Sequence, residues 1–184
     1  MKKIIVFGSN GGLGKEICNL LKHHSISSIN KTKLNFNKPK NKNKLFKLLK
    51  KLNPDVIINS AGFLGSNKLN YTKVFDVNFG SNWNILRYYL FNNSVKKRKI
   101  ILIGSSAYKK GKKDYMLYSA SKSALHNLFL SAHAVLKKKN IELNIFHPST
   151  IKTRMISKLK YTKNKKKNSP IKVAKQIINS YKLK

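Results

Sequence analysis

Two side chains four residues apart, Tyr118 and Lys122, are the most suggestive chemical pair in this 184-residue sequence. On a helix this spacing places the phenol and the ammonium on one face. At about 5 Å and an effective dielectric near 20, the ammonium stabilises a phenolate by roughly 3 kcal/mol. Since one pKa unit is about 1.36 kcal/mol, the spacing predicts a Tyr118 pKa lowered from about 10 towards neutrality. Such a phenol is a general acid for a carbonyl oxygen, although a chain this rich in Tyr and Lys also produces the spacing by chance.

A glycine-rich segment, Gly-Ser-Asn-Gly-Gly-Leu-Gly at residues 8–14, directly follows the apolar run Lys3–Phe7. Between a buried strand and a helix, glycines permit a tight turn and let the backbone approach a diphosphate at the helix N-terminus. The spacing differs from the common G-x-G-x-x-G pattern, so a turn without a ligand is the alternative. We expect the segment to bind a dinucleotide through Gly8, Ser9, Asn10, Gly12, Leu13 and Gly14.

Polar residues follow two other apolar runs, at the positions where open α/β sheets bind ligands. Residues 59–62 are Asn-Ser-Ala-Gly, and Gly104 is followed by Ser105 and Ser106. Either serine can hold a substrate carbonyl group, whereas a helix cap is the structural alternative. Asn78 stands within a long helical pattern, where Asn is unfavourable by propensity, which suggests a specific role.

The elements that position these residues alternate along the chain. Apolar runs predict strands at residues 3–7, 25–30, 56–59, 99–103 and 141–146. Helical spacing predicts helices at 14–23, 45–52, 71–93 and 116–138, and a last helix that begins at Pro170. This alternation predicts an α/β fold, a single doubly wound Rossmann-like domain over residues 1–184 with a parallel sheet and helices on both faces.

The formal net charge of +35 attracts polyanions, so a basic nucleic-acid-binding protein is one alternative function. Only three of the forty basic residues are arginines, the residue that base and phosphate recognition favours. The lysines accompany many Asn and Ile along the whole chain, a profile that an AT-rich genome produces without selection for binding. We therefore expect no specific nucleic-acid partner, and we interpret the basic run Lys160–Lys167 as a solvated loop rather than an anion-docking segment.

Other classes of protein are excluded by simple counts. The single cysteine, Cys18, cannot form an intramolecular disulfide, and the five histidines show no H-x-x-x-H pattern, so no metal site is expected. No apolar run reaches the roughly 18 residues of a membrane span. The apolar run after Met1-Lys2-Lys3 stops at Gly8, too short for a signal peptide, so the expected location is cytoplasmic, with no membrane partner.

In their order along residues 3–178, these motifs resemble the short-chain dehydrogenase/reductase family. The family's glycine motif, N-N-A-G segment, helical Asn, Ser and Y-x-x-x-K correspond here to Gly8–Gly14, Asn59–Gly62, Asn78, Ser105, and Tyr118 with Lys122. The resemblance implies NAD(P)-linked hydride transfer to or from a small-molecule carbonyl or secondary alcohol. It implies Tyr118 as acid/base, with Lys122 lowering its pKa and holding the nicotinamide ribose. It further implies that Ser105 orients the substrate oxygen and that Asn78 supports a proton-relay water.

The resemblance also identifies further residues around the cofactor. Asn59, Ala61, Gly62 and Asn35 would bind the cofactor, with Asn35 near its adenine, and Pro148 and Thr153 would lie on its nicotinamide side. Ser105 is preferred to Ser106 because thirteen residues separate it from Tyr118, the family's usual interval. No acid follows the second strand and Lys31 and Lys33 are near, so NADP is favoured over NAD.

Several features depart from the family pattern or leave alternatives open. Phe7, Ser60 and Ser149 stand where Thr, Asn and Gly are usual, and the chain is expected to be C-terminally shortened, with an open or small site. A dinucleotide-binding Rossmann protein without turnover remains an alternative. Sugar-nucleotide epimerases and dehydratases share the motifs but carry a larger C-terminal domain. The helices at 71–93 and 116–138 match those that pair subunits in the family, which implies a homodimer or homotetramer.

Overall fold

Five short parallel strands form the sheet of this protein, seen in a computed structural model that describes residues 1–38, 41–65, 71–92, 96–156 and 167–183. The strand order is β2-β1-β3-β4-β5, and every neighbouring pair is parallel. The strands are β1 (Lys3–Phe7), β2 (Ser25–Ile29), β3 (Val56–Asn59), β4 (Arg98–Ile103) and β5 (Ile141–Phe146). All five lie where the sequence predicts strands, so the predicted parallel α/β sheet is confirmed.

Helices cover both faces of the sheet, which is why the central strands are continuous apolar runs rather than alternating ones. Ile4 and Val6 face the helices at the two ends of the chain, whereas Ile5 and Phe7 face the helices from its middle. The helices are α1 (Gly12–Leu20), α2 (Asn41–Leu52), α3 (Tyr71–Phe75), α4 (Ser81–Phe91), α5 (Met116–Lys137) and α6 (Pro170–Ser180). Short 3₁₀ turns cover Ser106–Tyr108 and Lys113–Tyr115.

The segment predicted as one long helix over residues 71–93 differs from the prediction. A π-helical turn, Asp76–Gly80, separates α3 from α4 and contains the buried Asn78. Single π turns inside helices occur frequently at functional sites, because the wider turn redirects one side chain without breaking the helix axis. Most of the basic run Lys160–Lys167 lies outside the described residues.

The loops that follow β1 and β3 lie next to each other at the point where the strand order reverses. Because β2 lies on one side of β1 and β3 lies on the other, the chain leaves β1 and β3 in opposite directions, and a crevice remains between the two loops. Such a crevice at the carboxyl ends of the strands is the usual ligand site of an open α/β sheet. Within the described ranges, no helix has the length and apolar character needed to cross a membrane.

Candidate active site

The glycine loop is held in place by contacts that exclude side chains at two positions. Gly8 has φ +73°, and its amide donates to the Ile29 carbonyl oxygen at 2.8 Å. A Cβ on Gly8 would lie 2.6 Å from the backbone nitrogen of Ala61, and a Cβ on Gly14 would lie 2.2 Å from the Gly8 carbonyl oxygen. Both distances are shorter than any van der Waals contact, so only glycine fits there.

The loop after β3 is fixed by a buried amide network. The Asn59 amide nitrogen donates to Ser81 Oγ at 2.9 Å and to Asn82 Oδ1 at 2.8 Å, and Asn59 Oδ1 accepts from the Ala61 backbone at 3.2 Å. Ser60 Oγ donates to the Phe7 carbonyl oxygen at 2.7 Å, which joins this loop to β1. The Ser found where the family has Asn therefore has a structural partner, and the two loops form one rigid wall.

A cavity of about 360 Å³ lies between these loops and the carboxyl ends of β4 and β5. Its walls combine the start of α1, the loop after β3, the Gly104–Ala107 segment, the start of α5 and residues 148–156. The predicted site residues that line it are Asn10, Gly12, Leu13, Gly14, Ala61, Gly62, Ser105, Tyr118, Lys122, Pro148 and Thr153. The sequence motifs from both halves of the chain thus converge on one cavity.

Ser105, Tyr118 and Lys122 lie together on one side of the cavity. The Ser105 side chain lowers the pKa of the Tyr118 phenol, and the Lys122 ammonium lies 5.7 Å from the centroid of the Tyr118 ring. Ser106 also lines the cavity, but it is more exposed, and its amide donates to the Pro148 carbonyl oxygen at 2.9 Å. The serine that influences the phenol is therefore Ser105, the one that the interval to Tyr118 favours.

The direction of the Tyr118 pKa differs from the sequence expectation. Burial raises the pKa of the phenol, and the Tyr115 side chain raises it further, while the hydrogen bond with Ser105 opposes the rise. The expected lowering of the Tyr118 pKa was wrong for this structure, because burial removes the phenolate from water and disfavours the charged form. Tyr118 is therefore protonated at neutral pH and suited to donate a proton.

Lys122 is itself buried, with 3% of its surface exposed. Its ammonium donates to the carbonyl oxygen of Ile103 at 2.7 Å. Burial lowers its pKa to about 8, because the charged form loses its hydration. Lys122 is thus charged at neutral pH yet close to the point at which it loses its proton.

Asn78 does not line the cavity, in contrast to its expected contact with a relay water. Its amide oxygen accepts from the Phe63 backbone at 2.8 Å, and its amide nitrogen donates to the Phe63 carbonyl oxygen at 2.8 Å and to Ser121 Oγ at 3.0 Å. Its own carbonyl oxygen accepts from Asn82 at 2.8 Å. Asn78 therefore joins the π turn to the loop after β3 and to α5, behind the Tyr118–Lys122 face.

Four other predicted cofactor residues also lie outside the cavity lining: Gly8, Ser9, Asn35 and Asn59. Gly8 and Asn59 shape the loops from behind. Asn35 Oδ1 accepts from the Asn37 backbone at 3.1 Å in a local turn before α2. The side-chain oxygen expected to approach adenine is thus engaged in a turn, which is the usual local role of Asn.

Several cavity residues lie beyond the sequence motifs: Leu64, Lys112, Tyr115, Arg154, Met155 and Ile156. Only Tyr115 had a sequence signal, since it precedes Tyr118 by three residues and therefore shares its side of the chain at helical spacing. Its ring meets that of Tyr118 edge to face, with 5.8 Å between centroids. Arg154, Met155 and Ile156 depend on how residues 148–156 cross over the sheet, and Leu64 and Lys112 depend on the paths of the loops after β3 and β4. No local pattern indicates either.

The residues present fit a dinucleotide on three observations. The first turn of α1 has no side-chain cap among the described residues, since Gly11 stands at the N-cap. A Cβ on Gly12 would lie 2.9 Å from the Thr153 methyl group, so a larger residue would narrow the cavity at this turn. The buried Ser9 hydroxyl has no hydrogen-bond partner in the described part of the chain. Uncapped amides at a helix N-terminus bind a diphosphate without further cations.

Comparison with known proteins agrees with this geometry. The sequence profile of the family described as "short chain dehydrogenase" matches residues 33–164. The chain is similar to the 3-oxoacyl-[acyl-carrier-protein] reductase FabG of Buchnera aphidicola subsp. Schizaphis graminum (strain Sg), with 30% identity over 200 residues, 92% of this chain and 82% of that protein.

Solved structures share the fold. A 3-alpha-hydroxysteroid dehydrogenase from Pseudomonas sp. B-0831, complexed with NADH, superposes with a TM-score of 0.83 at 17% identity, over 95% of this chain and 87% of that chain. A short chain dehydrogenase from Burkholderia cenocepacia J2315, in complex with NADP, gives a TM-score of 0.80 at 15% identity, over 98% and 84% of the two chains. The Rossmann-like sheet predicted from the sequence is therefore confirmed by its structural neighbours.

Proposed function

This chain belongs to the short-chain dehydrogenase/reductase family, and we propose that it acts as a reductase on the carbonyl group of a 3-oxoacyl substrate. It is an NAD(P)-dependent oxidoreductase of that family. The observation that carries the proposal is the convergence of Ser105, Tyr118 and Lys122 on one cavity, where burial raises the pKa of the Tyr118 phenol. A protonated phenol is the acid that carbonyl reduction requires, whereas alcohol oxidation requires a base.

Each of the three side chains has one task in this mechanism. The Tyr118 phenol donates its proton to the substrate oxygen as negative charge develops there. The Ser105 hydroxyl, which lines the same cavity, orients the same oxygen. The Lys122 ammonium, 5.7 Å from the centroid of the Tyr118 ring, stabilises the phenolate that remains through charge attraction. Asn78 acts indirectly, since it holds Ser121 on the adjacent turn of α5.

The cofactor is a nicotinamide dinucleotide, and NADP is the preferred form. When bound, it supplies the hydride that the carbonyl carbon accepts. Residues 12–14 at the start of α1 would hold the diphosphate, and Pro148 and Thr153 would face the nicotinamide. After β2, Asn30 has no carboxylate to bond a ribose 2′-hydroxyl, and the nearby Lys31 and Lys33 favour a 2′-phosphate.

The substrate class follows from the relative's name and from the cavity walls. FabG of Buchnera aphidicola is named as a 3-oxoacyl-[acyl-carrier-protein] reductase. Leu64, Met155 and Ile156 give the cavity an apolar side that suits an acyl chain, and Lys112 and Arg154 give it a basic side. No aspartate or glutamate appears among the lining residues that the structure describes. The acyl group of a 3-oxoacyl thioester matches the apolar side, and the basic side suits an anionic group on the same substrate.

A homodimer or homotetramer is the proposed assembly. Leu130 and Val135 on α5 are 58% and 48% exposed, and Phe91 at the end of α4 is 76% exposed. Large apolar side chains on two adjacent helices suit a subunit contact, because burying them removes apolar surface from water. Light scattering at high salt tests this assembly, and a monomer at micromolar concentration argues against it.

The decisive experiment follows NADPH oxidation with an acetoacetyl thioester as substrate, for the wild type and for Tyr118→Phe. We expect turnover in the wild type, a loss of 10²- to 10⁴-fold in Tyr118→Phe, and equal NADPH affinity in both proteins by fluorescence. Tyr71→Phe is the matched control, because Tyr71 is 64% exposed. Full activity of Tyr118→Phe, or NADPH binding without turnover across ketones, aldehydes and 3-oxoacyl thioesters, contradicts the proposal.

A further inference from the structure

Three aromatic rings, those of Tyr108, His126 and His147, form a cluster behind Ser105, which we call the imidazole cluster. None of the three lines the cavity, so the mechanism above does not use them. They come from three elements: the 3₁₀ turn after β4, the first half of α5 and the residue that follows β5. The imidazole rings of His126 and His147 therefore lie close to Ser105, whose hydroxyl the proposed mechanism uses.

His147 is packed directly against the backbone that carries Ser105. Its Nδ1 lies 3.2 Å from the Ser105 nitrogen and 3.3 Å from the Ser105 carbonyl oxygen. A Cβ on Gly104 would lie 2.3 Å from the same Nδ1, so the ring occupies the space that any other residue at position 104 would need. Nothing separates the imidazole from the Gly104–Ser105 peptide.

The other side of the His147 ring is held by His126. His147 Nε2 lies 3.1 Å from His126 Nδ1, which is hydrogen-bond distance. The Tyr108 ring stacks on His147, with 4.0 Å between centroids and 28° between planes, and contacts His126 with 4.3 Å between centroids. Stacking on Tyr108 fixes the plane of the His147 imidazole, and the hydrogen bond between His147 Nε2 and His126 Nδ1 fixes the rotation of the ring within that plane.

The position of one proton decides which Ser105 atom His147 binds. When Nε2 of His147 carries the proton and donates to His126, Nδ1 is an acceptor and takes the Ser105 N–H. When Nδ1 carries the proton, it can only donate to the Ser105 carbonyl oxygen, and the Ser105 N–H loses its acceptor. A doubly protonated His147 has the same consequence.

Burial and the surrounding positive charges favour the neutral form of His147. The groups that face His147 are Lys109 beside the 3₁₀ turn, and Lys122 and His126 on α5. All carry or can acquire positive charge. Together with burial, they lower the pKa of His147, although its contact with the Ser105 backbone opposes this. At neutral pH the imidazole is thus uncharged, and acid conditions are needed to protonate it.

We propose that His147 is a positioning residue, which holds the Ser105 backbone so that the Ser105 hydroxyl faces the cavity beside Tyr118, and that protonation of His147 releases this hold. The inference rests on the proposed role of Ser105 in orienting the substrate oxygen. It predicts an acid limb in the rate of carbonyl reduction that belongs to the imidazole cluster rather than to the cofactor or to Tyr118.

Two substitutions separate the acceptor from the packing. His147→Phe keeps a ring against Tyr108 and removes both nitrogens, whereas His147→Asn can retain an acceptor oxygen near the Nδ1 position and does not titrate. We expect His147→Phe to lower kcat about tenfold with NADPH affinity little changed, and to lower the melting temperature, because the Ser105 N–H loses its acceptor. We expect His147→Asn to stay within about threefold of wild-type kcat at neutral pH and to lack the acid limb.

Equal kcat and pH profile in His147→Phe and the wild type overturns the proposal. An equal loss in both variants also overturns it, since packing rather than the acceptor then matters. If His147→Phe fails to fold, the comparison of His147→Asn with the wild type alone decides, through the presence or absence of the acid limb.

A second readout needs no turnover. In ¹⁵N NMR spectra of the protein without substrate, the Ser105 amide shift must follow the His147 titration in the wild type and must not titrate in His147→Asn. If the Ser105 amide shift in the wild type does not change with the protonation of His147, the positioning role is wrong, even where Tyr118→Phe is inactive as expected. An amide that follows it, in an enzyme that Tyr118→Phe leaves fully active, supports the positioning role and defeats the proposed function instead.

Discussion

The Lys122 ammonium donates a hydrogen bond to the carbonyl oxygen of Ile103, the last residue of β4, across a distance of 2.7 Å. This bond joins α5 to the strand that carries Ser105, two residues beyond Ile103. The helix that presents Tyr118 and the strand end that presents Ser105 are therefore fixed to each other by the buried cation between them.

Because Lys122 is buried, the free energy of unfolding depends on pH in the alkaline range. A fall in pKa from 10.5 to about 8 corresponds to roughly 3 kcal/mol. Because the unfolded chain binds this proton more tightly, the free energy of unfolding rises with pH between about 8 and 10.5. We expect the wild type to gain up to that amount relative to Lys122→Met over this range, measured by urea unfolding. Parallel curves for the two proteins contradict the prediction, and the variant serves as the control for the many other lysines.

The same cation sets the alkaline limb of carbonyl reduction. The proposed mechanism needs Tyr118 and Lys122 both protonated, and Lys122 loses its proton first, since burial raises the pKa of Tyr118 above its usual 10. The value of kcat/KM, which reports the free enzyme, is expected to fall as pH rises through about 8. The side chain in Lys122→Arg stays charged, so we expect the alkaline limb of the remaining activity of this variant to shift to higher pH. A limb at the same pH in both proteins would assign it to another group.

Two glycines offer a matched test of the turn after β1. Gly14→Ala places a Cβ 2.2 Å from the Gly8 carbonyl oxygen, whereas a Cβ on Gly111 meets nothing within 4 Å among the described residues. We expect Gly14→Ala to lose about 1–3 kcal/mol of stability and much of its NADPH affinity. Gly111→Ala should stay within about 0.5 kcal/mol of the wild type. Thermal melting and fluorescence titration measure both quantities, and equal behaviour of the two variants would refute the steric account.

Asn78 is expected to act through position rather than chemistry. Asn78→Ala leaves the half-buried Phe63 backbone and the buried Ser121 without their shared partner, at a cost of about 2 kcal/mol or more. The matched control, Asn92→Ala, removes an exposed amide that bonds the Tyr88 carbonyl oxygen at a helix end. The free energy of unfolding, measured with urea, and kcat should both fall in Asn78→Ala and should hardly change in Asn92→Ala. Loss of kcat without loss of stability would restore the expected proton-relay role.

The residue after β2 offers a test of cofactor choice. Asn30 Oδ1 accepts from Thr32 Oγ1 at 2.8 Å and from the Lys33 backbone at 3.0 Å, and Asp at this position retains both acceptors. A carboxylate there repels a 2′-phosphate and bonds a 2′-hydroxyl. Asn30→Asp should therefore move the ratio of NADP to NAD affinity at least about tenfold towards NAD, an energy of roughly 1.4 kcal/mol. An unchanged ratio, measured against Asn37→Asp as the control, would place the 2′-phosphate elsewhere.

The sequence by itself determined the strands, most of the helix positions, the glycine loop and the spacing of Tyr118 and Lys122. These features depend on local patterns: apolar runs, helical periodicity and fixed residue intervals. Such patterns also placed Gly104, Ser105 and Ser106 just after the fourth strand, whereas the preference for Ser105 came from the family's usual interval to Tyr118.

The tertiary structure alone decided the partners of Asn78 and the packing of His147 on Ser105. It also decided the direction of the Tyr118 pKa. The reason is that a pKa responds to the desolvation produced by every neighbour, and hydrogen-bond partners are chosen by whichever group the fold brings nearest. Phe63 lies 15 residues from Asn78, and Ser105 lies 42 residues from His147, so no interval in the chain encodes either contact. The residue types determine which chemistry is available, and the packing determines which groups perform it.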